Sequence, residues 1–294
     1  MTEAFRFISV EKANHAVSLL CRVLEVSRSG FYAWLGREPS ARALADERIL
    51  VEVRKIHKDS RKTYGSPRVH AMLGRRGVHV GRKRVARLMD QAGISGLIKR
   101  KRGRTTIRVP GVATAADLVR REWNPTEPNR LWVADITYCR SWEGWLYLSA
   151  VIDCHSRKVV GWSLRNDLGG ELVTEAVEMA VARRRPSGGL VHHSDRGSQY
   201  VSLAFGERCK EAGIDLSMTA GGSPLDNSVV ESFFATLKRE LVDRYTWPTR
   251  ADLRVAIFEW IEVFYNRQRL HTTLGNYAPE EFENLPLNQL KEAA

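Results

Sequence analysis

Cysteine is scarce in this chain of 294 residues: Cys21, Cys139, Cys154 and Cys209 stand far apart, with no C-x-x-C pair. Such spacing argues against a thiolate zinc site or a disulfide framework and fits a reducing cytosol. No apolar run approaches the roughly 20 residues that a membrane span needs. The opening MTEAFRFISVEK also lacks the uninterrupted apolar stretch of a secretion signal. A cytoplasmic protein with no membrane partner is therefore expected. Internal repeats and low-complexity tracts are absent. Acidic residues are scarce in one half only. Residues 1–110 hold 25 Lys/Arg against 9 Asp/Glu, and residues 111–294 hold 21 against 25.

Hydrophobic residues make up 43% and charged residues 27% of the chain, ordinary values for a folded protein long enough for about two domains. The net charge of +12 is not ordinary. A front half at +16 joined to a back half at −4 points to a polyanion-binding part attached to something else; a solubilising basic surface is the alternative.

The first 36 residues read as two short helices, with Ala13, Val17, Leu20, Cys21 and Leu24 on the first and Phe31, Trp34 and Leu35 on the second. They form either a helix-turn-helix or a plain hairpin. Pro39-Ser40 starts a longer helix to about Lys58, with Leu44, Ile49, Val53 and Ile56 on one side. A stronger helix-turn-helix pattern follows. Pro67 opens a helix closed by Gly77, and after a short connector a second helix turns Val85, Leu88 and Met89 inward and Arg82, Lys83, Arg84 and Arg87 outward. Such a basic face suits a DNA groove or its phosphates, although a solvated charged face has the same composition. The run Lys99, Arg100, Lys101 and Arg102 opens a Pro-containing linker expected to follow the DNA backbone. The division is thus 1–38, 39–105, a linker at 106–128, 129–285 and a tail at 286–294.

From residue 130 the pattern becomes strands: Leu131–Cys139, Trp145–Asp153 and Lys158–Leu164, joined by turns short enough for antiparallel pairing. Strand and helix then alternate, with helices expected over Glu171–Arg184, Ser202–Ala212, Asp226–Arg244 and Ala251–Phe264. This order predicts an α/β protein with a ribonuclease-H-like mixed sheet, preceded by an all-α helix-turn-helix region. The tryptophans of the strand region, Trp132, Trp142, Trp145 and Trp162, are expected in its core.

Three carboxylates stand out, each with a plain structural alternative. Asp135 interrupts the apolar strand LWVADITY, where a charge is costly unless paired or metal-bound; it also suits an exposed strand face. Asp195 follows a short strand in HHSDRGSQY, where α/β sheets place their chemistry, yet an Asx turn explains it as well. Glu231 lies in DNSVVESFFATLKRE, where Ser228 and Glu231 fit a capping box. Helical spacing also places Asn227, Glu231 and Lys238 on one face, the last two about 10 Å apart at 1.5 Å per residue. Two divalent ions roughly 4 Å apart can activate an oxygen nucleophile and stabilise a leaving oxygen, and magnesium needs only a few carboxylates for this. His192 and His193 flank Asp195 and either assist it or pack. Ser223, Pro224, Arg267, Arg269 and His271 are weaker candidates for DNA contact.

Between Asp195 and Glu231 lie 35 residues, and Lys238 follows seven after the glutamate. This resembles the D, D-35-E signature of retroviral integrases and related bacterial transposases. HHSDRGSQY, DNSVVESFFATLKRE and YNRQRLHTTLGNYAPEEF look like the insertion-sequence-three family, specifically its second-reading-frame (OrfB) product, over about residues 46–285. The resemblance implies Asp135, Asp195 and Glu231 as catalytic ligands of Mg2+, with Mn2+ able to substitute, and Lys238 beside the donor DNA end. It implies nicking at element ends, then attack by the freed 3′-hydroxyl, carried out by a homo-oligomer on DNA. Complete family transposases join a first-frame segment with a leucine zipper to this part. No sustained heptad run precedes the core here, so the first-reading-frame (OrfA) product joins the candidate partners. A non-catalytic DNA-binding regulator and a purely hydrolytic nuclease stand as the alternatives.

Overall fold

The computed structural model describes residues 2–97, 115–119, 122–219 and 227–286. The front of the chain forms three short helices rather than two: α1 (Thr2–Glu11), α2 (Val17–Val23) and α3 (Arg28–Leu35). Phe5 and Ile8 of α1 close a small core with Leu20, Cys21 and Phe31. Only two of the residues of α1 enter that core, too short an apolar stripe to show as a period. Glu25, at φ 52°, turns the chain between α2 and α3, and the Ser27 hydroxyl caps α3 by accepting from the Gly30 amide.

Next come α4 (Ala41–Asp59), capped by Ser40, then α5 (Ser66–Arg75) and α6 (Arg82–Gln91). Val53, Ile56, Val69, Leu73, Val85 and Met89 meet at their centre, while Leu44 stays exposed on α4. Leu270, from near the end of the chain, completes this cluster. The helical lobe is therefore seated on the rest of the molecule. Tyr64 Oη accepts from the Leu270 amide at 2.8 Å, Arg61 pairs with Glu259 at 2.6 Å and Arg75 with Glu281 at 3.1 Å.

The sheet has five strands in the order β3-β2-β1-β4-β5. β1 (Leu131–Ser141), β2 (Gly144–Asp153) and β3 (Val159–Arg165) are antiparallel, while β4 (Leu190–Ser194) and β5 (Ile214–Met218) continue it in parallel. Strand alternation sends Trp132, Ala134 and Val151 to one face, under α7 (Glu171–Arg184) and α8 (Leu203–Glu211). Leu131, Val133 and Cys139 go to the other face, under α9 (Ser228–Leu237) and α10 (Arg250–Glu259). α7 lies so close to β3 that a side chain at Gly161 would strike the Ala176 carbonyl. A final short helix, α11 (Pro279–Glu283), packs near the sheet. Among the described residues no helix is long and apolar enough to cross a membrane.

Three expectations change. The helices predicted over 226–244 and 251–264 each pass from α into π geometry, at Lys238–Val242 and Trp260–Tyr265. The described part of the proposed linker packs on the sheet: Val119 is buried, the Leu118 amide donates to Ser217 Oγ at 2.9 Å, and Pro125 accepts at its carbonyl from His155. Trp132 and Trp162 are core residues, but Trp142 is 75% and Trp145 46% exposed, at the β1–β2 turn.

Candidate active site

Asp135 stands at the middle of β1, paired across the ladder with Ala150, and on the face covered by α9. Its Oδ1 accepts from the Ile136 amide at 2.7 Å. Burial pushes its carboxyl up to about 7, and the negative charges of Asp195 and Glu231 add to the effect while Lys238 opposes it. Residues scattered over a hundred positions therefore act on one carboxyl group. Asp195 is exposed in the loop after β4, where its Oδ1 accepts from the Gly197 amide at 2.9 Å in an Asx turn. The Asx turn is present, and it holds the carboxylate where its charge reaches Asp135.

Glu231 is exposed in the first turn of α9. The N-cap of this helix is Asn227 rather than Ser228, so the capping box drawn from Ser228 is displaced. Asn227 was expected at DNA. Its side chain is instead buried and donates from Nδ2 to the Ala134 carbonyl at 3.0 Å. That bond ties the start of α9 to β1 one residue before Asp135, which makes Asn227 a positioning residue for Glu231. Lys238 opens the π-helical turn and is half-buried.

The basic residues divide. Arg82 and Lys83 are exposed at the start of α6. Arg84 and Arg87 do not face DNA freely, because both grip Asp46 of α4, at 2.6 and 2.7 Å. Two cations hold that carboxyl below its usual range. Lys99, Arg100, Lys101 and Arg102, like Ser223 and Pro224, lie outside the described residues. His192 is wholly buried between Tyr200 and Phe205, and burial drives its imidazole down to about 4, so it stays neutral. His193 is buried beside Ser217 and Trp123. Both histidines are packing residues. Arg269 is also buried, bound to Glu240 at 2.9 and 2.8 Å, and His271 is half-buried, so of these three candidates Arg267 is the exposed one. Tyr200, present in HHSDRGSQY but given no role there, is buried where the charges of Asp135 and Asp195 both reach its phenol.

The donor chemistry, a buried carboxyl at Asp135 reached by the charges of Asp195, Glu231 and Lys238, suits a divalent cation. Their oxygens do not converge: among the described residues no three acidic, histidine or cysteine side chains stand close enough to enclose an ion.

An HTH-like domain model matches residues 44–102, and two integrase core domain models match residues 125–224 and 212–279. The chain is 40% identical to the insertion element IS600 uncharacterized 31 kDa protein of Shigella sonnei, over 90% of this chain and 97% of that one. It is 36% identical to transposase InsF for insertion sequence IS3A of Escherichia coli K12, over 95% and 97%. The chain belongs to the IS3 family of transposases. In this transposase Asp135 and Asp195 fall within the first matched core segment and Glu231 within the second. Its helical front and five-stranded mixed sheet are the helix-turn-helix-like region and ribonuclease-H-like integrase core that the family combines. Retroviral integrase chains align at lower identity. The catalytic core domain of BIV integrase is 21% identical over 53% of the transposase and 94% of that chain, with a TM-score of 0.39. The transposase is thus a DNA-processing enzyme of transposition.

Proposed function

We propose that this transposase nicks the DNA at the ends of its element and joins the freed 3′-hydroxyl to another strand. The observation that carries this reading is the ionisation of Asp135, lifted to about 7 by burial and by two further carboxylates brought to it from β4 and α9. A cluster of like charges is destabilising by itself and becomes favourable once cations enter. Asp135, Asp195 and Glu231 would hold two Mg2+, replaceable by Mn2+. When bound, such a pair supplies an activated oxygen nucleophile and a stabilised leaving oxygen.

The protein's own residues do the rest. The Asx turn at Gly197 and the Asn227 bond hold Asp195 and Glu231 against the rigid strand that carries Asp135. Lys238, seven residues beyond Glu231, offers a cation to a phosphate of the donor end. Arg82 and Lys83 offer two more on the helical lobe, which we assign to end binding, with residues 129–285 assigned to catalysis. Two element ends must meet for joining, so the working form is an oligomer on DNA; the first-frame product is a candidate partner.

Oligonucleotides carrying an element end, incubated with Mg2+ or Mn2+, test the reading. Wild-type protein is expected to give nicked and then joined products, and Asp195→Asn neither. Nicking without joining would make the protein a nuclease, and end binding without either product a regulator. Joining that survives Asp195→Asn would refute the assigned site.

A further inference from the structure

The seam between the helical lobe and the sheet domain contains more positive charge than it neutralises. α5 begins there: Tyr64, just before it, accepts from the Leu270 amide and donates to the Gln268 carbonyl at 3.3 Å. The N-cap of α5 is Gly65, which brings no side chain to the amides of the first turn. Arg68 sits in that turn. On the opposite side, the π-helical segment after Lys238 presents Arg239 and turns Glu240 inward, where Arg269 takes both carboxylate oxygens. Glu240 is thereby spent. Arg239 reaches it only at 3.9 Å and otherwise touches Thr236 Oγ1 at 3.5 Å.

Arg68 has no hydrogen bond or ion pair among the described residues; its guanidinium lies over the Tyr64 ring at 5.4 Å. The Nε atoms of Arg68 and Arg239 are both buried and both without a hydrogen-bond partner. The two side chains share one environment, since burial first and then Arg269 lower the ionisation of Arg68, Arg239 adds to this, and Glu240 opposes it. His271, beside Arg269 at 3.4 Å, is held neutral by burial and by Arg269, Arg68 and Arg157, so it adds no further positive charge. Three guanidinium groups thus face one carboxylate. Buried cationic N–H groups without acceptors are costly, and guanidinium forks match the oxygens of phosphate.

We propose that Arg68 and Arg239 form a phosphate site at this seam, which takes a backbone phosphate of the DNA strand engaged at the three carboxylates. The phosphate chemistry rests on the seam alone, while the identity of the strand rests on the strand-transfer reading above. Arg239 follows Lys238 on the helix of Glu231, so one phosphodiester chain would meet the carboxylates, Lys238 and then the seam. The helical lobe would sense a loaded active site through Arg68.

Two measurements on the full chain test this. Inorganic phosphate, against chloride at equal ionic strength, should raise the melting temperature of wild-type protein and of the Arg68→Lys/Arg239→Lys variant, but not that of Arg68→Ala/Arg239→Ala. Binding to end DNA should weaken about 10-fold or more at low salt in the alanine variant, with the log–log salt slope shallower by about one, for the one phosphate lost. An unchanged slope, or equal phosphate stabilisation of the alanine variant, would overturn the site. Phosphate stabilisation that needs the two arginines, in a protein that joins no DNA, would keep the site and refute the strand-transfer reading. Should the alanine variant fail to fold, Arg68→Gln and Arg239→Gln singly carry the same comparison, each with weaker DNA binding, a smaller shift of the slope in the same direction and less phosphate stabilisation than wild type.

Discussion

Two acidic clusters sit on the same sheet and have opposite fates. At the end of β2, Asp153 is wholly buried, yet its oxygens accept from the Asn129 amide at 2.8 Å, the His155 amide at 2.9 Å and Arg184 at 3.1 Å. Arg184 also binds Glu283 through two hydrogen bonds of 2.8 Å, and although burial works to raise the Glu283 carboxyl, Arg184 brings it below its usual range. On the neighbouring strand Asp135 has one backbone donor and two negative neighbours. The first cluster ties α7 and α11 to the sheet; the second brings like charges to one buried carboxyl, and we assign it to a cation. Burial raises the Asp153 carboxyl as it raises that of Asp135; what distinguishes the two is the resident arginine on Asp153.

The comparison breaks most visibly if activity follows the wrong cluster. Asp195→Asn should lower strand transfer by more than about 1000-fold while leaving the fold intact, because it removes one of the three carboxylates proposed to hold the metal ions and lies exposed in a loop. Arg184→Ala should do the reverse in kind. It leaves Asp153 and Glu283 buried without their cation, and a loss of about 3–5 kcal/mol in denaturant unfolding is expected. An Arg184→Ala protein as stable as wild type would mean that the backbone amides alone satisfy Asp153.

The ionisation of Asp135 gives a third, pH-dependent arm. Its carboxyl moves from 3.8 to about 7 on folding, so the folded state binds the proton more tightly than the unfolded chain. Stability is therefore full below about pH 4, falls as pH rises toward 7, and stays low above it. The cost at pH 8 is about 4 kcal/mol at most. In metal-free buffer, Asp135→Asn should be more stable than wild type by about 2–4 kcal/mol at pH 8 and no more stable at pH 4. Added Mg2+ should narrow the gap at pH 8. Equal unfolding midpoints for the two proteins at both pH values would remove the electrostatic crowding on which the site assignment rests.

Much of this was legible in the sequence, for physical reasons that differ by element. The three antiparallel strands announce themselves because alternating Val, Ile, Tyr and Trp fit a pleated surface and the turns between them are too short for a crossover. The carboxylates are legible through their spacing. What the chain cannot display is a partner distant in sequence. Asp46 claims Arg84 and Arg87 from about forty residues away, and Glu240 claims Arg269 from 29. Each arginine alone reads as surface charge. The π turns at Lys238 and Trp260 are hidden for another reason: a ladder that shifts to i→i+5, as from the Asp243 amide to the Lys238 carbonyl, leaves the local composition helical.

Asn227 is the smallest and most discriminating case, because its partner carbonyl at Ala134 is 93 residues away and one residue from Asp135. Loss of a single buried hydrogen bond costs about 1–2 kcal/mol, so Asn227→Ala should lower stability only by that amount. Its effect on joining should be larger than its effect on folding, since the freed N-terminus of α9 carries Glu231. DNA affinity should barely change, because Asn227 is buried and makes no contact that a phosphate could replace. The opposite pattern, weak DNA binding with normal turnover on bound DNA, would return Asn227 to the DNA surface. It would also detach Glu231 from the strand that we take to position it.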